Sequence, residues 1–110
     1  MQITVIIPVF NESQTIGKIL DKVLSQKSVS EIIIVDDGSS DKTPEILRKF
    51  KKPQIKIITH SKNMGKGAAL QSALKEVSGN YLIIQDADLE YDPSQYSLLL
   101  AHAKPNTAVY

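Results

Sequence analysis

Cysteine is absent from this 110-residue sequence, and tryptophan is absent as well. Without cysteine the chain can have no disulfide bond, no thiolate zinc site and no cysteine nucleophile. It also lacks an apolar run of the roughly 18 residues that a membrane-spanning helix needs. The net charge of +1 gives no indication of nucleic-acid binding. We therefore expect a single soluble domain with no secretion signal and no nucleic-acid partner.

What the sequence does contain is an alternation of strand-like and helix-like segments. β-branched, nearly continuous apolar runs predict buried strands at residues 3–9, 31–35, 56–59 (near an edge) and 81–85, with a fifth beginning at 107–110. Apolar spacing and caps predict helices at 16–24, 45–51 and 68–77, and another starting at Asp92 and Pro93. Asn11 or Ser13 is the expected cap of the first helix, and Thr43 of the second. The predicted fold class is α/β, a mainly parallel sheet with right-handed crossovers and helices on both faces.

Acidic residues gather where the predicted strands end. Three of them, Asp86, Asp88 and Glu90, stand at alternate positions, so in extended backbone they project to one side. Either a solvated loop or a hard divalent cation (Mg²⁺, Mn²⁺ or Ca²⁺) would accommodate these charges. Open parallel sheets bind ligands at the carboxyl ends of their strands. Six of the 12 acidic residues lie there, which favours a metal site: Glu12, Asp36, Asp37, Asp86, Asp88 and Glu90.

Two common phosphate-binding motifs are missing from this edge. No G-x-G-x-x-G follows the first strand, and there is no G-x-x-x-x-G-K-[ST]. Glu12 would repel a pyrophosphate there but could accept hydrogen bonds from a base or from sugar hydroxyls. Lys66, at a helix start, could meet a phosphate or could be a solvated residue of a helix cap. His60 and His102 lack zinc-site spacing, and we interpret them as ordinary surface residues. These features suit an activated sugar whose leaving group is a nucleoside diphosphate.

Four motifs, in this order and with this spacing, resemble those of family 2 glycosyltransferases. They are IIPVFNE at 6–12, VDDGSSD at 35–41, NMGKG at 63–67 and DAD at 86–88. The stretch QDADLEYDP at 85–93 is most similar to the dolichol-phosphate mannosyltransferase and polyprenyl-phosphate glycosyltransferase branch. The resemblance covers residues 1–110 and implies the nucleotide-sugar-binding part of a GT-A (Rossmann-like) domain. Members of the family are longer, which implies a truncated chain without the acceptor-binding part and any membrane segment.

The resemblance also suggests which residues form the site. Those expected to contact the nucleotide sugar are Pro8, Phe10, Asn11, Glu12, Val35, Asp37, Lys66, Asp86, Ala87 and Asp88. Asp88 is the implied catalytic residue, and Asp86, Asp88 and Glu90 are the implied ligands of Mg²⁺ or Mn²⁺. Glu90 stands where this branch often has glutamine, so it keeps an oxygen ligand but adds a charge. Asp36 is interpreted as structural, whereas Asp37→Ala is expected to weaken nucleoside binding and leave the fold intact.

The reaction that the resemblance implies is an inverting transfer of a sugar from a GDP or UDP donor to polyprenyl phosphate. A lipid phosphate is already ionised, whereas a sugar hydroxyl would need a protein base, and no candidate base is evident. The expected location is cytoplasmic, at the face of a membrane, with membrane association through downstream parts or a partner. Two alternatives stay open: a polysaccharide or other glycan as acceptor, and a nucleotide-sugar-binding module that is inactive on its own.

Overall fold

The structure, a computed structural model, describes residues 2–87 and 108–109. Its strands are β1 (Ile3–Val9), β2 (Val29–Asp36), β3 (Ile55–Thr59), β4 (Tyr81–Ile84) and β5 (Ala108–Val109). Its helices are α1 (Ile16–Leu24), α2 (Thr43–Leu47) and α3 (Lys66–Leu74). The strands pair in parallel in the order β3-β2-β1-β4-β5. This confirms the predicted α/β class, the parallel sheet and the position of β3 at an edge. The helix predicted to start at Asp92 lies outside the described residues.

Helices cover both faces of the sheet, because its central strands are apolar at nearly every position. Odd-numbered residues of β1 pack in one core cluster with the apolar stripe of α1 and with Leu47 of α2. On the opposite face, Ile6 and Ile33 pack with Ala69 and Ala73 of α3. The small alanine side chains let α3 lie close to the sheet. Because successive side chains of a strand point to opposite faces of the sheet, each apolar strand contributes to the core cluster on both faces.

The cap predicted for α1 is wrong, because the loop before it makes tertiary contacts instead. Thr15 occupies the N-cap position without a side-chain cap hydrogen bond. Asn11 has a positive φ of 53°, which asparagine tolerates better than most residues. Its amide oxygen accepts hydrogen bonds from the backbone N–H of Ser40 (2.8 Å) and Asp41 (3.3 Å). The residues after β1 are thereby joined to those after β2.

The ends of α2 and α3 also differ from the prediction. The N-cap of α2 is Lys42, while the hydroxyl of the buried Thr43 accepts a hydrogen bond from the Glu12 N–H at 3.1 Å. The side chain of Thr43 therefore joins two loops instead of capping α2. This helix ends at Leu47 rather than at residue 51. The third helix begins at residue 66, before the expected start at 68, and ends at Leu74. In the described part of the chain, no helix combines the length and the apolar character that crossing a membrane requires.

Candidate functional site

A cleft of about 400 Å³ opens at the carboxyl ends of β1, β2 and β4. The chain runs outward from β1 to β2 and β3, then returns to place β4 on the other side of β1. The order of the strands therefore reverses beside β1, and open α/β sheets bind their ligands at such reversals.

The cleft brings together most of the site residues expected from the sequence. Seven of them line it: Pro8, Phe10, Glu12, Asp37, Lys66, Asp86 and Ala87. The lining also includes Val9, Asn63, Gly65 and Ala69. Phe10 is 44% exposed and presents an apolar ring. Val35 is fully buried in the core and Asn11 holds the neighbouring loop, so neither is among the lining residues. Asp88 and Glu90 lie outside the described residues.

Opposite charges meet on one wall of the cleft. Lys66, the first residue of α3, places its Nζ 2.7 Å from Oδ1 of Asp86. Their side chains are 55% and 34% exposed, so the ion pair contributes little to stability. The ion pair matters through its position, since it places a cationic side chain and a carboxylate at the start of α3, where anions are favoured.

The start of α1 is joined to the end of β4 through Thr15. The hydroxyl of Thr15 donates to the carbonyl oxygen of Ala87 at 2.5 Å, and Oε2 of Glu12 lies 3.3 Å from the same hydroxyl. The carboxylate of Glu12 and the backbone of Ala87 are therefore held on either side of one hydroxyl. This contact fixes the β1 and β4 sides of the cleft relative to each other.

Two of the acidic residues at this edge accept hydrogen bonds from other groups of the protein. Asp36 is 1% exposed and accepts a hydrogen bond from the Ser39 N–H at 3.0 Å, in agreement with the structural role expected for it. Asp37 is 4% exposed, and its two carboxylate oxygens accept four hydrogen bonds from described residues. The donors are the ring of His60 (2.8 Å), the N–H of Met64 (2.9 Å), the N–H of Gly65 (2.8 Å) and the side chain of Asn63 (3.2 Å).

The pKa of Asp37 reflects these partners. Burial raises the pKa of its carboxyl group, but the hydrogen bonds from His60 and from the Met64 and Gly65 amides outweigh that effect, and the pKa lies below its ordinary value. The carboxylate is therefore charged at neutral pH and acts as the acceptor around which residues 63–65 are folded.

Sequence reasoning missed His60, and its interpretation as a surface residue was wrong. Its side chain is 10% exposed, and its two ring nitrogens lie 2.8 Å from Oδ1 of Asp37 and 2.8 Å from Oγ of Ser72 on α3. The signal that could have located His60 is its position directly after β3. Thr59 of β3 pairs with Asp36 of β2, so the residues that follow them, His60 and Asp37, lie side by side. Finding it required knowing that β3 lies beside β2.

Asp41 strengthens the junction between the loops that follow β1 and β2. Its carboxylate accepts hydrogen bonds from the Ser13 N–H at 3.2 Å and the Thr43 N–H at 2.9 Å. Burial raises the pKa of Asp41, but the hydrogen bonds from Thr43 and Ser13 lower it to about 2. This side of the cleft is therefore held by a carboxylate that stays ionised well into the acid range.

Gly38→Ala is expected to destabilise the protein by roughly 2–4 kcal/mol. Gly38 has a φ of +76°, and an added Cβ would lie 2.5 Å from the backbone nitrogen of Asn63, so left-handed strain and a backbone clash combine. Gly67→Ala is the control, because Gly67 lies in α3 with nothing within 4 Å of an added Cβ; it should gain up to about 1 kcal/mol. Urea denaturation measures both variants. Equal midpoints would show that the loops after β2 and β3 can separate at no cost.

The described residues contain only part of the expected metal site. Within residues 2–87 and 108–109, no three histidine or acidic side chains come together as a metal-binding group. Asp86 and Glu12 are the acidic side chains of the described cleft whose carboxylates do not hold a loop in place as that of Asp37 does. Asp88 and Glu90 follow Asp86 in the sequence. All of these donors are oxygens, the ligand type that Mg²⁺ and Mn²⁺ prefer.

Comparison with known proteins agrees with this fold. Residues 4–110 match the family model described as glycosyl transferase family 2. The chain therefore belongs to glycosyltransferase family 2. The expected GT-A fold is confirmed by a solved mannosyltransferase from Pyrobaculum calidifontis, in complex with GDP-Man and Mn²⁺. That structure matches with a TM-score of 0.72 and 32% identity over 78% of this chain and 27% of its own.

Two curated relatives are named for transfer to lipid phosphates. A dolichyl-phosphate beta-glucosyltransferase from Trichomonas vaginalis is 40% identical over 77% of this chain and 28% of its own length. An undecaprenyl-phosphate 4-deoxy-4-formamido-L-arabinose transferase from Photorhabdus laumondii is 34% identical over 94% of this chain and 34% of its own length. The chain thus spans about a third of the length of these relatives.

Proposed function

We propose that this chain is the nucleotide-sugar-binding part of an inverting glycosyltransferase that uses Mg²⁺ or Mn²⁺ and transfers a sugar to polyprenyl phosphate. The observation that carries the proposal is the composition of the cleft at the strand-order reversal. There, the exposed ring of Phe10, the carboxylates of Glu12 and Asp86 and the ammonium of Lys66 face one volume. Such a volume can take a nucleobase, ribose and diphosphate together.

Each part of the donor has a matching group in the cleft. Phe10 and Pro8 offer apolar surface to a flat nucleobase. Glu12 can accept hydrogen bonds from base N–H groups or from ribose hydroxyls, since an ionised carboxylate is an acceptor only. Lys66 stands at the N-terminus of α3, where its own charge and the helix dipole both favour a phosphate.

Asp86, Asp88 and Glu90 would hold the divalent ion. The bound ion supplies Lewis-acid stabilisation of the negative charge that develops on the leaving diphosphate. Lys66 adds a second positive charge on the same side, because its ammonium already lies beside Asp86. The Mn²⁺ and GDP-Man in the Pyrobaculum calidifontis structure support this arrangement.

A polyprenyl phosphate acceptor is supported by both curated relatives and by the chemistry of the acceptor. A phosphate monoester is ionised at neutral pH, so it can attack the anomeric carbon without a protein base. We assign the acceptor site, and association with the cytoplasmic face of a membrane, to the whole protein. The donor site is what this chain contributes.

Binding of a nucleoside diphosphate is expected to require a divalent ion, because the acidic edge otherwise repels the diphosphate. Calorimetry with UDP and GDP, in Mn²⁺ and then in EDTA, should show a fall in affinity of about tenfold or more on chelation. Asp86→Asn should weaken Mn²⁺-dependent binding. Asp21→Asn, the same change at an exposed position on α1, should not.

Three outcomes would contradict parts of this proposal. Equal affinity in Mn²⁺ and EDTA for every nucleotide that binds would remove the metal from donor binding. No binding of any UDP- or GDP-sugar would reject the donor site itself. A whole protein that binds a donor, yet transfers sugar to neither polyprenyl phosphate nor a glycan, would be a binding module rather than an enzyme.

A further inference from the structure

The carboxylate of Asp37 is hydrogen-bonded to four donors from the described residues. An ionised carboxylate accepts hydrogen bonds on both oxygens, and both oxygens are engaged here. Oδ1 accepts from His60 and the Met64 N–H, and Oδ2 accepts from the Gly65 N–H and Asn63. Asp37 lines the cleft, but its hydrogen bonds are directed into the protein.

What Asp37 holds is a wall of the cleft. Asn63, Gly65 and Lys66 all line it, and the turn through Gly65 requires a φ of +97°. Since the amides of residues 64 and 65 both point at one carboxylate, the orientation of that carboxylate fixes the path of the turn. The turn in turn places Lys66 at the start of α3, with its Nζ 2.7 Å from Asp86.

His60 is the donor to that carboxylate that comes from outside the turn. Its ring nitrogens lie 2.8 Å from Asp37 and 2.8 Å from Ser72, so the ring connects the residue after β2 to the last turn of α3. Two hydrogen bonds and near-complete burial leave the ring one orientation. His60 itself is not among the residues that line the cleft, so its influence on a ligand must pass through Asp37.

We propose that His60 is a positioning residue for donor binding. It aligns Asp37, Asp37 folds the turn at residues 63–65, and the turn sets the wall that carries Lys66. The proposal rests on the proposed function, because the ligand of the cleft is taken to be a nucleoside diphosphate with its divalent ion. It makes donor affinity depend on a side chain that the donor does not touch.

The test compares His60→Ala, His60→Asn and Ser72→Ala in the full chain. An asparagine carries its NH₂ group at the same branch position as Nδ1 of histidine, so it can still donate to Asp37, whereas alanine cannot. Amide hydrogen exchange at Met64 and Gly65, measured by NMR without ligand, reports the turn directly. The amide of Ile6 in β1 is the reference for global stability.

In His60→Ala we expect the Met64 and Gly65 amides to exchange about tenfold faster or more relative to Ile6. The dissociation constant for UDP or GDP with Mn²⁺, whichever binds the wild type, should rise about fivefold or more. His60→Asn should restore both values to within about twofold of wild type. Ser72→Ala, which also keeps the bond to Asp37 and loses only the contact at Ser72, should likewise stay within about twofold of wild type.

The outcomes separate this proposal from the proposed function. Unchanged exchange at Met64 and Gly65 in His60→Ala would overturn the positioning role whatever the nucleotide affinity. Faster exchange with wild-type affinity would overturn the link to donor binding and leave the donor site intact. If the wild type binds no nucleotide with Mn²⁺, the proposed function and the affinity link both fall. Should His60→Ala not fold, exchange in His60→Asn and Ser72→Ala still decides the matter: both keep the donor to Asp37, so exchange about tenfold faster at Met64 and Gly65 in either would overturn the proposal.

Discussion

Asp37→Ala is expected to lower the melting temperature by about 10 °C or more. The change leaves four hydrogen-bond donors without their acceptor: the His60 ring, two backbone amides and the Asn63 side chain. An unsatisfied buried donor costs about 1–3 kcal/mol, and these groups are partly buried, so a total of roughly 3 kcal/mol or more follows. In a domain of this size 1 kcal/mol corresponds to about 4 °C. Thermal denaturation followed by circular dichroism measures the shift.

Asp36→Ala provides the matched comparison. Asp36 is the adjacent aspartate and is also buried, but its carboxylate accepts one hydrogen bond, from Ser39, among the described residues. Its loss should therefore lower the melting temperature by a clearly smaller amount. If Asp37→Ala melted like the wild type and lost only nucleotide affinity, the carboxylate would be a ligand group, as the sequence alone suggested. The four donors change that expectation, because a side chain this engaged cannot be removed without cost to the fold.

Asp88→Asn in the whole protein is expected to reduce turnover by at least about 100-fold. The reason is that the ion that we propose Asp88 holds would stabilise charge that develops only in the transition state, so its loss would act on kcat. Asp88 lies outside the described residues, and the expectation comes from its place two residues after Asp86, which lines the cleft. Steady-state kinetics at saturating donor, over a range of Mn²⁺ concentrations, measures the effect.

Asp88→Asn is not expected to lower the stability of the metal-free protein. If Asp86, Asp88 and Glu90 hold one ion, as we propose, their carboxylates repel one another without metal, and asparagine removes one charge with little change of shape. Asp88→Asn should therefore melt at or slightly above the wild-type temperature. Glu90→Gln is the informative partner variant, since it keeps an oxygen ligand and should alter metal preference more than maximal turnover. Near-normal turnover of Asp88→Asn at low Mn²⁺ would remove Asp88 from the metal site.

The strands could be predicted from the sequence because burial on both faces leaves a distinctive apolar run. The run in β1 was placed at the residues that form it, and β2 began only two residues early, at Val29. The helix ends were predicted less well. Local sequence preference predicts Asn11 and Thr43 as helix caps. In the structure both side chains instead form hydrogen bonds that join one loop to another. Such bonds depend on which loops become neighbours, and a single sequence does not state that.

The cleft was predictable to the extent that it follows from strand order. Residues directly after β1, β2 and β4, such as Glu12 and Asp86, were expected at one edge and lie there. Val35 lies in the predicted buried strand and packs in one core cluster with Ala69 and Ala73 of α3, and its contact with a nucleotide stays a prediction. His60 was not placed correctly from sequence, because it meets Asp37 only through the pairing of β3 with β2.

The strand order also affects how the protein folds. Val5 pairs on one side with Ile32, which is near in sequence, and on the other side with Ile83, which is far away. Because closing a long loop costs more entropy and slows folding, β3, β2 and β1 can assemble during synthesis before β4 leaves the ribosome. Until β4 docks, one edge of β1 stays unpaired, and an unpaired apolar edge is a template for aggregation. The strand that completes the cleft is thus also the strand that protects the nascent sheet.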